Sequence, residues 1–218
     1  MCFSASASLI AGTALSAVGV VTIKKTKKKA DVPFAMIPLL FGVQQIVEGF
    51  VWLSFSWQST ILNAVTTYIF SLFAFVVWPI FVPFAIGSLE TEPWRKKVLY
   101  VFQFIGIAVG GYLLYSHSLS AVTSTIVNKS IVYNNSHFYT YWVIGFYFAA
   151  TTVSCFFSSK RIINAFGILA LIAAYTAYWF YSVSFVSVWC FFAAIMSFVI
   201  YLYFRSEKPG KSPINLNN

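Results

Sequence analysis

Three polar side chains, Gln44, Gln45 and Glu48, stand in the stretch FGVQQIVEGFVW at residues 41–52, and between Asp31 and Glu90 the only charged residue is Glu48. A carboxylate can hold a proton or a cation, and two carboxamides can both donate and accept hydrogen bonds. On a helix, Gln44 and Glu48 lie one turn apart on one face. Gly42, Gln45, Gly49 and Trp52 form the neighbouring stripe, where the glycines allow a second helix to approach closely. If this segment crosses a bilayer with its midpoint near Gln45, Glu48 lies about 4–5 Å beyond the midplane. An ionised carboxylate at that depth costs at least about 2.5 kcal/mol. It must therefore face other helices or a wet cavity. Three roles follow: hydrogen bonds that fix helix packing, a proton- or cation-binding site in a transport path, or a catalytic carboxylate.

A second candidate is WPIFVPF, with Pro79 and Pro83. Each proline lacks an N–H, which releases the carbonyl four residues earlier, here those of Phe75 and Pro79. Freed carbonyls in a cavity can bind a cation or a hydroxyl; the plainer reading is a kink. The ion- or ligand-binding set is thus Glu48, Gln44, Gln45, Trp52, Pro79 and Pro83. Thr151, Thr152, Ser154, Tyr175 and Tyr178 either line a polar path or bond their own helices. His117 and His137 read as loop histidines, solvated or paired on a metal or pH sensor. Cys2 would become an N-terminal thiol-amine after loss of Met1, but no base lies near it in sequence. Cys155 and Cys190 sit in apolar runs and read as small hydrophobes. No phosphate loop, zinc motif or nucleophile elbow is present, so no catalytic set, metal or cofactor is assigned.

The surrounding elements must be membrane helices. The chain has 218 residues, of which 60% are hydrophobic and 9% charged, against about 25% charged in soluble domains. Seven runs reach the roughly 20 apolar residues a span needs: about 4–23, 33–56, 61–87, 98–116, 138–158, 162–183 and 185–204. Their continuous apolar character excludes a β-barrel. The net charge of +9 does not point to nucleic acid, because the basic residues fall in short clusters between the runs. With seven spans, thirteen of the 14 Lys and Arg lie on one side: Lys24, Lys25, Lys27–Lys29, Arg95–Lys97, Lys160, Arg161, Arg205, Lys208 and Lys211. Only Lys129 lies on the other. The positive-inside rule then puts the N-terminus outside and the C-terminus in the cytoplasm. The expected organisation is a seven-helix transmembrane domain over 1–204 and a short basic cytoplasmic tail over 205–218. Glu90 and Glu92 read as a solvated interfacial cluster, the polar segment 117–137 as an outer loop, and Trp57 and Trp189 as outer-interface aromatics. Gly106, Gly110 and Gly111 read as a helix-contact face.

The opening MCFSASAS, the basic stretch after the first span and IPLLFGVQQIVEGFVW resemble a family of small multi-span membrane proteins of bacteria and archaea whose function is unknown. The matching positions are Cys2, Phe3, Ser4, Ala5, Gln44, Gln45, Glu48, Gly49 and Trp52. The resemblance implies a multi-pass protein of the cell membrane and no activity. The expected function is a small transporter or channel for a proton, cation or small polar solute, with Glu48 as the titrating group. The alternatives are a non-catalytic subunit or assembly factor of a larger membrane complex, or an intramembrane enzyme. The expected partners are the lipid bilayer and another copy or a larger membrane complex, with no nucleic acid.

Overall fold

The computed structural model describes residues 4–120, 122–134 and 140–206. Helices hold 84% of it. Helix α1 (Ala5–Lys25) starts at Ser4, whose Oγ accepts the Ala7 N–H at 3.3 Å, and ends in Lys24 and Lys25, where cations suit the helix dipole. A short helix α2 (Val32–Ala35) leads into α3 (Ile37–Ser56), each with proline near its first turn, where the missing N–H costs nothing. A tight turn with Gln58 at φ 52° joins α3 to α4 (Thr60–Leu72), capped by Ser59. A π-helical turn, Phe73–Val77, connects α4 to α5 (Trp78–Leu89). Helix α6 (Pro93–Leu119) begins on a proline.

The segment read as an outer loop folds instead as an antiparallel hairpin, β1 (Thr123–Val127) and β2 (Ser130–Asn134), with Val127 paired to Ser130. Asn128 and Lys129 take φ 50° and 59°, the left-handed pair of a two-residue turn that matches strand twist. The hairpin is not a solvated loop. Ile131 and Tyr133 are buried, and the Tyr133 ring stacks on Phe70 of α4 at 4.2 Å. Ser124 Oγ accepts hydrogen bonds from Asn63 Nδ2 at 3.0 Å and Thr67 Oγ1 at 2.8 Å.

After the hairpin come α7 (Tyr141–Thr151) with a 3-10 turn Val153–Phe157, then α8 (Arg161–Tyr181), α9 (Phe185–Met196) and α10 (Phe198–Ser206). Five helical runs are long and apolar enough to cross a membrane: Ala5–Lys25, Lys29–Ser56, Thr60–Leu89, Pro93–Leu119 and Arg161–Arg205; Tyr141–Phe157 is a shorter apolar one. The last run is not straight. Tyr181 leaves helical geometry at φ −139°, ψ 41°, and Trp189 Nε1 donates back to the Ala170 carbonyl at 3.3 Å, so α9 returns along α8. The tail residues 207–218, like Cys2 and His137, lie outside the described residues.

Two apolar clusters divide the core, one at each end of the bundle. One gathers Val51, Phe70, Val109, Leu113, Ile131, Tyr147 and Phe185; the other gathers Phe34, Phe41, Leu89, Leu99, Cys155, Ile163 and Phe204. Helix α3 runs from the second to the first, α6 likewise, and α9–α10 back again. Close backbone approach sets the contacts. A Cβ on Gly19 would lie 2.4 Å from the Leu39 nitrogen, and one on Gly42 2.6 Å from the Ser16 nitrogen, so α1 packs directly on α3. A Cβ on Gly106 would lie 1.9 Å from the Pro79 carbonyl oxygen, which joins α6 to α5. Gly111 has nothing within 4 Å and takes no part.

At the end that carries the second cluster, Glu90 is buried rather than solvated. Its Oε1 accepts the Thr91 and Glu92 N–H groups at 2.9 and 3.0 Å, and its Oε2 accepts the Ser159 N–H at 2.6 Å. Burial pushes the Glu90 carboxyl up, but the backbone donors of Ser159, Glu92 and Thr91 outweigh it and hold the group below the usual range. Arg95 reinforces the same junction by donating to the Phe157 and Ser158 carbonyls at 3.3 and 3.1 Å.

Candidate functional site

Gln44, Gln45 and Glu48 are each 0% exposed. Helix α3 places them in the interior because its glycine stripe is held against α1: Gly42 meets Gly12 and Ser16, and Gly49 meets Leu9. Gln45 lies on that stripe between the two glycines. Glu48 and Gln44, on the adjacent face, look towards the rest of the bundle. Helix α9 supplies Ser187, whose Oγ donates to Glu48 Oε1 at 2.6 Å. Helix α5 supplies Trp78, whose indole N–H donates to Gln44 Oε1 at 2.6 Å and whose ring stacks on Phe41 at 3.8 Å. Gln45 and Tyr133 flank the Glu48 carboxyl, and the Cys190 thiol lies against Gln44 and close to Glu48.

The cluster is only half used. Glu48 Oε2, Gln44 Nε2 and both amide atoms of Gln45 make no bond of good hydrogen-bond geometry among the described residues, with Gln45 and Tyr133 standing beside the carboxyl and Gln44 beside the Cys190 thiol. Buried polar groups are normally paired, and an unpaired one costs about 1–3 kcal/mol. These atoms supply two acceptors and two donor groups inside an apolar bundle. Such a set can hold a proton, a cation or a small polar molecule.

The other residues of the predicted set are placed elsewhere. Trp52 is half-buried against the core around Val51, and its Nε1 has no partner among the described residues. Pro79 and Pro83 are buried on the α6 side of α5, away from Glu48. The Pro79 carbonyl is covered by the backbone of Gly106, and Pro83 lines a groove with Gly87, Leu99 and Gln103. The Pro79 carbonyl, so covered, is not open to a cation. The π-helical turn orphans a further carbonyl. In the π-helical turn the Trp78 N–H reaches back to Phe73, and position 79 has no N–H to give, so Ala74 loses its helical donor. Tyr147 replaces it, its Oη donating to the Ala74 carbonyl at 2.5 Å.

Thr151 and Ser154 donate to the carbonyls of Tyr147 and Ala150 in their own helix, while Tyr175 and Tyr178 lie exposed on the outside of α8. They do not line a path together. His117 is not a loop residue: α6 runs on to Leu119, and the ring is buried beside Phe75, with Nδ1 2.8 Å from the Leu113 carbonyl. Trp189 is buried in the core rather than at an interface. Sequence reasoning missed Ser187, Trp78, Tyr133 and Tyr147. Ser187 carried a usable signal, since residues 185–196 contain it as their single hydroxyl. Trp78 sits in a motif read only for its prolines, and Tyr133 was hidden in a segment read as loop.

No curated protein and no solved structure matches the chain. A family model matches residues 1–213, almost its whole length, and the chain belongs to that family, a family of unknown function (DUF6629).

Proposed function

We propose that this protein is a seven-span membrane transporter or channel, N-terminus outside, that passes a proton, cation or small polar solute by way of Glu48. The observation that carries the reading is the half-used polar cluster. Side chains that served packing alone would satisfy one another. Here one carboxylate oxygen and three amide atoms on a single turn of α3 lack a well-formed bond, which favours a guest at this turn. A carboxylate also adds what Gln44 and Gln45 cannot, a change of charge.

Seven crossings agree with the alternation of the helices between the two core clusters and with the break at Tyr181. A run of 45 residues would span about 67 Å as one helix, more than twice the bilayer core of about 30 Å. The orientation is supported by the basic residues. Arg95 bonds the turn that precedes Lys160 and Arg161, while exposed Lys129 sits on the hairpin by the other cluster. The subunit or assembly-factor reading draws on Gly111 and Gly145, which have nothing within 4 Å and leave room for a helix of another chain. Purified protein in liposomes, assayed for pH-dependent flux of protons and a panel of small cations, separates the two. Transport predicts flux that the Glu48→Gln variant loses; a subunit predicts none in either.

A further inference from the structure

Glu48 lies eight residues, about 12 Å, before the end of α3 at Ser56, and the β1–β2 hairpin closes that end of the bundle. We propose that the hairpin is a gate over the Glu48 site, with Tyr133 as its stopper. The proposal rests on the transport reading above and names how access to that site is controlled.

Strand alternation and register assemble the stopper. Side chains alternate between the two faces of a strand, so Ile131 and Tyr133 of β2 share a face. Tyr133 pairs across the hairpin with Ser124, and Ile131 with Ile126. This face rests on the bundle. Ile131 and Tyr133 are buried, the Tyr133 ring stacks on Phe70 at 4.2 Å, and the same side chain flanks the Glu48 carboxyl. The turn at Asn128 and Lys129 and all of β1 except Ser124 remain exposed. The opposite way out is shut by helices. One turn back along α3, Gln44 holds the Trp78 indole, which stacks on Phe41 at 3.8 Å.

The hairpin is attached as a lid would be. Among the described residues, no backbone hydrogen bond ties either strand to a helix. Its polar anchors are side-chain bonds from Asn63 Nδ2 and Thr67 Oγ1 of α4 to Ser124 Oγ, at 3.0 and 2.8 Å. The ground beneath it is polar as well. Asn63 and Thr67 lie one turn apart on one face of α4, and Asn63 Nδ2 also donates to Ser54 Oγ of α3 at 3.0 Å. Water can take over each of these bonds when the hairpin lifts, which opens a mouth lined by hydroxyls and an amide towards Glu48. The helices have no such freedom. Gly19 against Leu39 and Gly106 against Pro79 lock backbone to backbone. Lifting a surface element off a rigid site is how lids control access.

The test locks the hairpin with a disulfide between Thr67→Cys and Ser124→Cys, positions whose hydroxyl oxygens lie 2.8 Å apart, in a chain with Cys2, Cys155 and Cys190 replaced by alanine. Glu48 is probed in the purified full chain in detergent with a water-soluble carbodiimide and an amine, read by peptide mass, with exposed Glu92 as the internal standard. The gate predicts that the disulfide slows Glu48 labelling at least tenfold against the reduced protein and leaves Glu92 unchanged. In liposomes the disulfide should abolish pH-dependent flux, and reduction should restore both. If the disulfide does not form or the variant does not fold, Tyr133→Leu, which takes the ring off Phe70 and keeps an apolar side chain, should speed Glu48 labelling at least threefold. Labelling that is equal in the locked and reduced proteins, absent from the reduced protein, or no faster in Tyr133→Leu overturns the gate whatever the flux. Lock-dependent labelling without flux in any variant keeps the gate and removes the transport reading. Flux that ignores the lock keeps transport and removes the gate.

Discussion

Tyr147→Phe removes one oxygen from a buried ring and should cost far more than that change suggests. The Ala74 carbonyl has lost its helical donor twice over, because Trp78 bonds Phe73 and residue 79 is proline. Tyr147 Oη is what replaces it. Without it a carbonyl buried at 1% residue exposure has no donor. Interhelical hydrogen bonds in membranes average about 0.6 kcal/mol and reach about 1.7, whereas stranding a buried acceptor costs about 1–3 kcal/mol. The expected loss is about 1–2 kcal/mol, read by equilibrium unfolding in mixed micelles. The cause is tested by adding Pro79→Ala, which restores an N–H within π-helical reach of Ala74. In that background the cost of Tyr147→Phe should fall by at least half, a coupling that a double-mutant cycle measures directly. The same cost in both backgrounds would refute the orphaned-carbonyl reasoning.

Gly106→Ala should destabilise by about 1–3 kcal/mol through overpacking against Pro79, while Gly111→Ala should be neutral or stabilising by up to about 1 kcal/mol; melting temperatures of the pair check this. Glu90 contributes stability that is present above the ordinary glutamate pKa of about 4.3 and is lost as the pH falls through its depressed folded value. The wild-type melting temperature should therefore drop more steeply below pH 4.3 than that of Glu90→Gln. For orientation, Lys129 and Lys27 are both exposed and suit labelling. In intact cells an impermeant thiol reagent should label Lys129→Cys and spare Lys27→Cys; the opposite pattern would invert the topology.

The long helices were legible because hydrophobic runs and basic clusters report burial in lipid residue by residue. The expected span at 4–23 became α1 over Ala5–Lys25, and the one at 33–56 became α2 and α3, ending at Ser56. Glu48 was legible as an interior group from desolvation cost alone. What remained hidden depended on contacts distant in sequence. Ser187 reaches Glu48 across 139 residues, and no periodicity announces that. The hairpin was read as loop because its polar residues, Ser124 and Ser130 among them, suggest solvent, yet they are buried under the bundle's end. The prolines were read incompletely for a local reason: an α-helical count names only Phe75 and Pro79 as orphans, and the π-helical turn adds Ala74.

The central claim, that Glu48 changes charge during transport, is tested most directly by pH-dependent flux through Glu48→Gln in liposomes. Glutamine keeps an oxygen for Ser187 to donate to and nearly the same volume, so the variant should melt close to wild type. The account predicts a folded Glu48→Gln protein whose pH-dependent flux is abolished. Undiminished flux in that folded variant would contradict it.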